Sequence, residues 1–347
     1  MTSLETTNYL SRLGETAERA GARDTTRVLQ EITALFGTEL STLEATLTGL
    51  SRTDTPVHRS AGHLVAAGGK RLRPLSVLLA ARVAGELTDA TREIALVVEL
   101  VHSATLLHDD VVDVGELRRG RPSARVLYGN AASVFAGDWL LVEALRRLAR
   151  SAGAHAVESM LGVLREMLDA ESLQLERRGT PTLSHETYLT IARGKTASLF
   201  RWGLGEGART AGAPGDHVAA LARFGEAFGV AFQIVDDTLD LVGDPAVVGK
   251  GALTDLLEGK ATLPLILAAE RAPSLATLVA DTLAQGITDG AAAQIVEEIV
   301  RHGGLDAARR EVELHTTTAL ACLRSLPPSD ARELLEATVI ALTARAS

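Results

Sequence analysis

Residues 102–121 read HSATLLHDDVVDVGELRRGR, with Asp109, Asp110 and Asp113 closing a long apolar run. On a helix Asp109 and Asp113 lie one turn apart on one face with Asp110 beside them, so the spacing predicts three carboxylates converging on one patch. Like charges that close need a cation among them. The lead-in LVVELVHSATLLH reads as buried helix, where an unpaired carboxylate is costly. All-oxygen ligation suits a hard divalent ion, and Mg²⁺ in particular takes few protein ligands and leaves its other positions to water and substrate phosphate. One such cluster is equally well explained as a charged helix end. The pattern recurs, however, as FQIVDDTLDLVGD, where Asp236, Asp237 and Asp240 again follow an apolar helical run. Two copies predict two helices facing each other across a cavity, each presenting carboxylates to metal ions that bridge to one polyphosphate substrate.

The segments around these clusters carry cations and helix breaks. HRSAGHLVAAGGKRLRPLSVLLAARVAG, starting at His58, reads as a helix, a Gly68-Gly69 break and a second helix with Pro74 in its first turn, where proline is tolerated. The break is expected to expose Lys70, Arg71 and Arg73 at a helix N-terminus, which favours anions through its free N–H groups and dipole. A loop with Arg118, Arg119 and Arg121 follows the first cluster. ETYLTIARGKTASLF places Gly194 and Lys195 inside a helical pattern, and a glycine there marks a kink or a close approach. Of 35 Lys plus Arg only four are lysines, Lys70, Lys195, Lys250 and Lys260, and each directly follows a glycine. Arginine serves as the generic cation here, so the lysines fall where a compact, rotatable ammonium suits better, such as a point charge on phosphate.

Composition bounds the rest. In 347 residues Ala and Leu dominate and β-branched alternation is scarce, which predicts an all-α chain with an aliphatic core, since aromatics are only 3%. No linker-like stretch interrupts residues 56–347, so these are expected to form one large helical domain of antiparallel helices around a deep central cavity. Residues 1–55, with a modest stripe of Leu29, Ile32, Leu35, Phe36 and Leu40, are expected to be a helical arm without chemistry. A net charge of −9 with no basic block argues against nucleic acid as a partner. The N-terminus lacks a signal-peptide pattern, and the apolar stretch before Asp109 is interrupted by Glu99 and His102, so no transmembrane segment and a cytoplasmic protein are expected. Cys322, the sole cysteine, reads as a small buried hydrophobe.

GGKRLRP, HSATLLHDDVVD, ELRRGRPS, GKTASLF, FQIVDDTLD and EGKATLPLI, in that order, resemble the trans-isoprenyl diphosphate synthases over residues 57–270. The resemblance implies an all-α isoprenoid-synthase fold, a homodimer, and Mg²⁺-dependent condensation of an allylic prenyl diphosphate with isopentenyl diphosphate. It assigns Asp109, Asp110, Asp113, Asp236, Asp237 and Asp240 to Mg²⁺ on the allylic diphosphate. Arg118, Lys195, Thr196, Gln233, Lys250 and Lys260 would touch that diphosphate, and Lys70, Arg73, His102 and Arg119 would hold isopentenyl diphosphate. Within the pattern KGALTD, after Lys250, is irregular. Small residues one turn before Asp109, Ala104 and Thr105, would let a growing chain pass, which implies an all-trans product longer than C20.

Three alternatives are weighed against this. A farnesyl or geranylgeranyl diphosphate synthase would make a shorter product, its tunnel closed early by another residue. A class I terpene cyclase needs no isopentenyl diphosphate site, and Lys70, Arg73, His102 and Arg119 count against it. A non-catalytic partner subunit would lose aspartates, and all six are present.

Overall fold

From Ile94 to Val101 the chain is apolar except for Glu99, and a helix that is hydrophobic all round has to be central. In the computed structural model, which describes residues 23–50, 54–179, 184–242, 254–286 and 288–344, this run is fully buried. The architecture is all-α, as expected.

The helices run α1 (Arg23–Gly49), α2 (Pro56–Ala66), α3 (Leu72–Ala84), α4 (Asp89–Val112), α5 (Ala124–Tyr128) and α6 (Asn130–Ser151). Next come α7 (Gly153–Glu176), α8 (His185–Ala192), a π-helical turn Arg193–Ala197, α9 (Ser198–Thr210) and α10 (Gly215–Val242). A short α11 (Thr254–Leu257), α12 (Leu263–Arg271), α13 (Pro273–Gln285), α14 (Asp289–Arg301), α15 (Gly304–Leu323) and α16 (Asp330–Thr343) complete it. Local chemistry sets several starts. Thr55 accepts from the His58 amide at 3.3 Å with Pro56 opening α2, and Thr88 and Thr91 form a reciprocal capping box ahead of α4.

Two compact units are distinguished. The first holds the described residues up to Leu161 with Trp202–Ala222 and Leu323–Ala341; the second holds Gly162–Arg201, Arg223–Cys322 and the described residues beyond Ala341. In the first unit α4 is the hub, packed on by α6 and α3. The stripe Ile32, Phe36, Leu40, Leu43 and Leu47 of α1 is buried as well. In the second, Tyr188, Ala197, Val230, Ile234, Leu263 and Ile266 share one core cluster. Gly194, inside the π-helical turn, is a close approach, since a Cβ there would lie 2.9 Å from Glu166 O.

The expected loop after α4 is instead a minimal hairpin, β1 (Leu117–Arg118) pairing antiparallel with β2 (Arg121–Pro122). Its two turn residues, Arg119 and Gly120, both have positive φ, 55° and 73°. That is what a two-residue hairpin loop demands. Within α10 the segment Gly215–Leu241 is long and apolar enough to cross a membrane, with 67% of its most apolar window buried in the fold. No other helix among the described residues is.

Candidate active site

In the first unit the aspartates sit at the C-terminal end of α4, Asp109 and Asp110 in its last turn and Asp113 at its cap. This is the negative end of the helix dipole, where carboxylates are unfavourable unless a cation offsets them. Asp110 is fully buried and turned to Arg118, whose Nε and Nη2 donate to Oδ1 at 2.9 and 2.5 Å, while Asp109 and Asp113 are half-buried. The other oxygen of Asp110, Oδ2, is buried without a hydrogen-bond partner.

A cluster of cations surrounds His102, two turns back along α4. His102 is half-buried, and desolvation together with Arg73, Arg119, Arg118 and Arg71 holds its imidazole well below the usual histidine range, hence neutral. The Arg119 guanidinium lies over Gly69, close enough that a Cβ on that glycine would sit 2.8 Å from Nη2. Desolvation and the cations Arg71 and Arg118, partly offset by Glu99, pull its pKa down to about 10, and it stays charged. Lys70 is exposed and Arg73 half-buried, beside the start of α3.

Arg71 corrects an expectation. It is not exposed but 3% accessible, and its Nε and Nη2 donate to Glu44 at 2.5 and 3.1 Å while Nη1 donates to Glu99 at 2.5 Å. Burial alone would lower its pKa; Glu99 and Glu44 outweigh that and hold it above the usual arginine value.

In the second unit the second cluster lies in the last two turns of α10. Asp236 is exposed, while Asp237 and Asp240 are 5% and 8% accessible. Asp237 is held by neutral donors: Tyr188 OH donates to Oδ2 at 2.7 Å and Gln233 Nε2 to Oδ1 at 2.7 Å. Thr196 Oγ1 in turn donates to Gln233 Oε1 at 2.6 Å, which joins the π-helical turn to α10. Burial and the Asp255 charge, with Asp236 behind it, push Asp237 up to about 8 against the pull of Tyr188 and Gln233. Asp240 accepts from the Asp255 amide at 3.2 Å. Lys195 reaches Glu171 at 2.5 Å and Gln174 at 2.9 Å, and Lys260 reaches Glu258 at 2.7 Å. Lys250 lies outside the described residues.

Among the described residues no three His, Cys, Asp or Glu side chains form a ready metal cage. The residues nonetheless fit Mg²⁺, which takes one or two carboxylates and fills its octahedron with water and substrate oxygens. Asp110 has an unused buried oxygen, the Asp237 carboxyl is crowded by other carboxylates, and both clusters occupy the negative ends of helices. Sequence reasoning missed Glu44, Glu99, Tyr188 and Asp255. Only Glu99 had a signal, as the one charge in an apolar run a turn before His102.

A fold of this kind with paired aspartate helix ends has close counterparts. The polyprenyl synthetase family model matches residues 54–300. The chain is 33% identical over 309 residues to the octaprenyl diphosphate synthase of Escherichia coli (strain K12), covering 88% of this chain and 96% of that one. It is 37% identical over 277 residues to the all-trans-nonaprenyl-diphosphate synthase (geranyl-diphosphate specific) of Rhodobacter capsulatus, covering 79% and 84%. The crystal structure of a polyprenyl synthase from Caulobacter crescentus CB15, complexed with calcium and isoprenyl diphosphate, matches with a TM-score of 0.85 at 37% identity over 92% of this chain and 97% of that one. The chain belongs to the polyprenyl synthetase family. It is an enzyme, a trans-polyprenyl diphosphate synthase.

Proposed function

We propose that this enzyme uses Mg²⁺ to condense isopentenyl diphosphate with an allylic prenyl diphosphate, repeatedly, into an all-trans polyprenyl diphosphate longer than C20. The observation that carries the substrate assignment is the cluster of cations around neutral His102, with Arg73, Arg118 and Arg119 beside a helix start, a place built for a diphosphate. Lys70, Arg73, His102 and Arg119 bind isopentenyl diphosphate there. Asp109, Asp110 and Asp113 on one helix end, and Asp236, Asp237 and Asp240 on another, would each hold Mg²⁺, and Lys195, Thr196, Gln233, Lys250, Lys260 and Arg118 would serve the allylic diphosphate.

Mg²⁺ bound by these carboxylates would neutralise the leaving diphosphate. The allylic C–O bond breaks with its electron pair leaving on the diphosphate, where Lys195 and Lys260 stabilise charge as it develops. Arg119 and Lys70 would anchor the diphosphate of isopentenyl diphosphate so that its double bond lies in line, and the π electrons form the new carbon–carbon bond at the freed allylic carbon. No side chain named here is placed as the base, and the departing diphosphate takes the proton then lost. His102, neutral before substrate arrives, adds a hydrogen bond to the diphosphate.

Long products are supported by the small side chains one turn before Asp109 and by relatives named for octaprenyl and nonaprenyl diphosphate. Ala104→Phe should therefore shorten the product ladder, and an unchanged ladder would show that the growing chain does not pass this face. The test is mass analysis of products from purified protein with Mg²⁺, isopentenyl diphosphate and a short allylic primer. A cyclic hydrocarbon, or no product, would overturn the proposal. A cytoplasmic homodimer completes it, checked by light scattering and cell fractionation.

A further inference from the structure

We infer that Glu44 and Glu99, acting through Arg71, are positioning residues for the isopentenyl diphosphate pocket; this rests on the assignment of Lys70, Arg73, His102 and Arg119 to that substrate. Arg71 sits between Lys70 and Arg73 in GGKRLRP, yet its side chain faces the other way, into the core. Its backbone is left-handed, φ 43°, at the cap of α3. A residue with a Cβ holds that conformation only when its surroundings fix it.

The fixing contacts come from three helices. Glu44 on α1 takes Nε and Nη2 at 2.5 and 3.1 Å, Glu99 on α4 takes Nη1 at 2.5 Å, and Val65 O at the end of α2 accepts from Nη2 at 3.4 Å. Two carboxylates therefore consume the charge of Arg71, which leaves it little to offer a diphosphate. What it supplies is direction. With Arg71 pinned inward, Lys70 before it is left exposed and Arg73 two residues on is left half-buried beside His102 at the helix start. Glu99 stands one turn before His102 on the same helix, so its grip on Arg71 also ties the α3 start to the histidine. The α1 helix, which carried no chemistry by sequence, thereby reaches the substrate pocket through one side chain.

The test compares Glu44→Gln with Arg119→Gln, a change in the pocket itself. The Glu44 side chain is 43% exposed and Glu99 still neutralises Arg71 in the variant, so folding should survive. The KM for isopentenyl diphosphate should rise on the order of tenfold to a hundredfold, with the KM for the allylic diphosphate and kcat at saturation within about twofold. Arg71→Lys, which keeps the charge but loses the fork, should give the same split, and the double variant should add less than the sum of the two. If Arg119→Gln raises the isopentenyl KM while Glu44→Gln and Arg71→Lys lower only the melting temperature, the positioning role is overturned and the pocket stands. If Arg119→Gln leaves that KM unchanged, the pocket assignment falls and takes this inference with it.

Discussion

The two aspartate clusters share their spacing and their place at a helix end, yet the buried middle aspartate of each, Asp110 and Asp237, is satisfied differently. Asp110 is met by a protein cation, Arg118, and pays for burial within an ion pair. Asp237 is met by Tyr188 and Gln233, neutral groups, while Asp255 and Asp236 add negative charge nearby. At Asp110 a neighbouring guanidinium offsets the buried charge, whereas at Asp237 neutral donors meet it and other carboxylates stand nearby. Identical motifs can thus demand different things of a metal, and the difference lies in partners that the motif does not contain.

The largest expected effect tests what the clusters share. Asp109→Ala and Asp236→Ala should each lower turnover by roughly three orders of magnitude or more with the fold intact, because each removes charge stabilisation at the breaking bond. Circular dichroism and steady-state kinetics check both, and turnover near wild type at saturating Mg²⁺ in either variant would remove that cluster from the mechanism.

The next effect separates the clusters. Asp110→Ala strands the Arg118 guanidinium and should cost about 3 kcal/mol of stability. Asp237→Asn removes a crowded charge, keeps Oδ1 as acceptor for Gln233 and lets Nδ2 donate to the rotated Tyr188 hydroxyl, so at pH 8 without metal it should be neutral or stabilising. Urea unfolding of the two proteins in EDTA decides it; equal losses would mean that the clusters are electrostatically alike.

A smaller effect appears in the pH dependence. Asp237 has a folded pKa raised from 3.8 to about 8, so its contribution to stability is present below 3.8 and declines as pH rises toward about 8. Added Mg²⁺ should accordingly raise the melting temperature more at pH 8 than at pH 5, and Asp237→Asn should flatten that contrast. A contrast that survives the substitution would place the effect elsewhere.

The smallest concerns His102. Its folded pKa is depressed, so its contribution is present above the ordinary histidine value and is lost as pH falls through and below it. A diphosphate beside it should reverse the bias of the surrounding arginines and draw a fraction of a proton from buffer. Calorimetric titration of isopentenyl diphosphate in buffers of different ionisation enthalpy should detect that uptake, and His102→Gln should abolish it.

What could be read from the sequence was whatever repeats locally. The aspartate pairs, the helix start near Pro74 and the irregularity at Gly194 each follow from spacing or from one residue's backbone needs, and the structure places all three as expected. The inward turn of Arg71 was hidden because Glu44 and Glu99 are distant in the chain. Tyr188 carried no local mark either, since its partner Asp237 lies far along the sequence. The pairing of Asp110 was hidden for a related reason: helix geometry puts Asp110 near Asp109, but the hairpin residue Arg118 is what its Oδ1 meets.

The hairpin after α4 has a further consequence for how the chain tolerates length changes. Arg118, in a strand, faces Asp110, and Arg119, in the turn, faces Gly69, so two neighbouring arginines serve different targets. A two-residue turn has no slack in which to absorb an inserted residue, and side chains along a strand alternate in direction. One extra uncharged residue between Leu117 and Arg118 would carry Arg118 into the turn position that faces Gly69 and Arg119 into that of Gly120, while leaving net charge untouched. The triplet Arg118-Arg119-Gly120 therefore works as a ruler, and its accuracy resides in its length rather than in its charge.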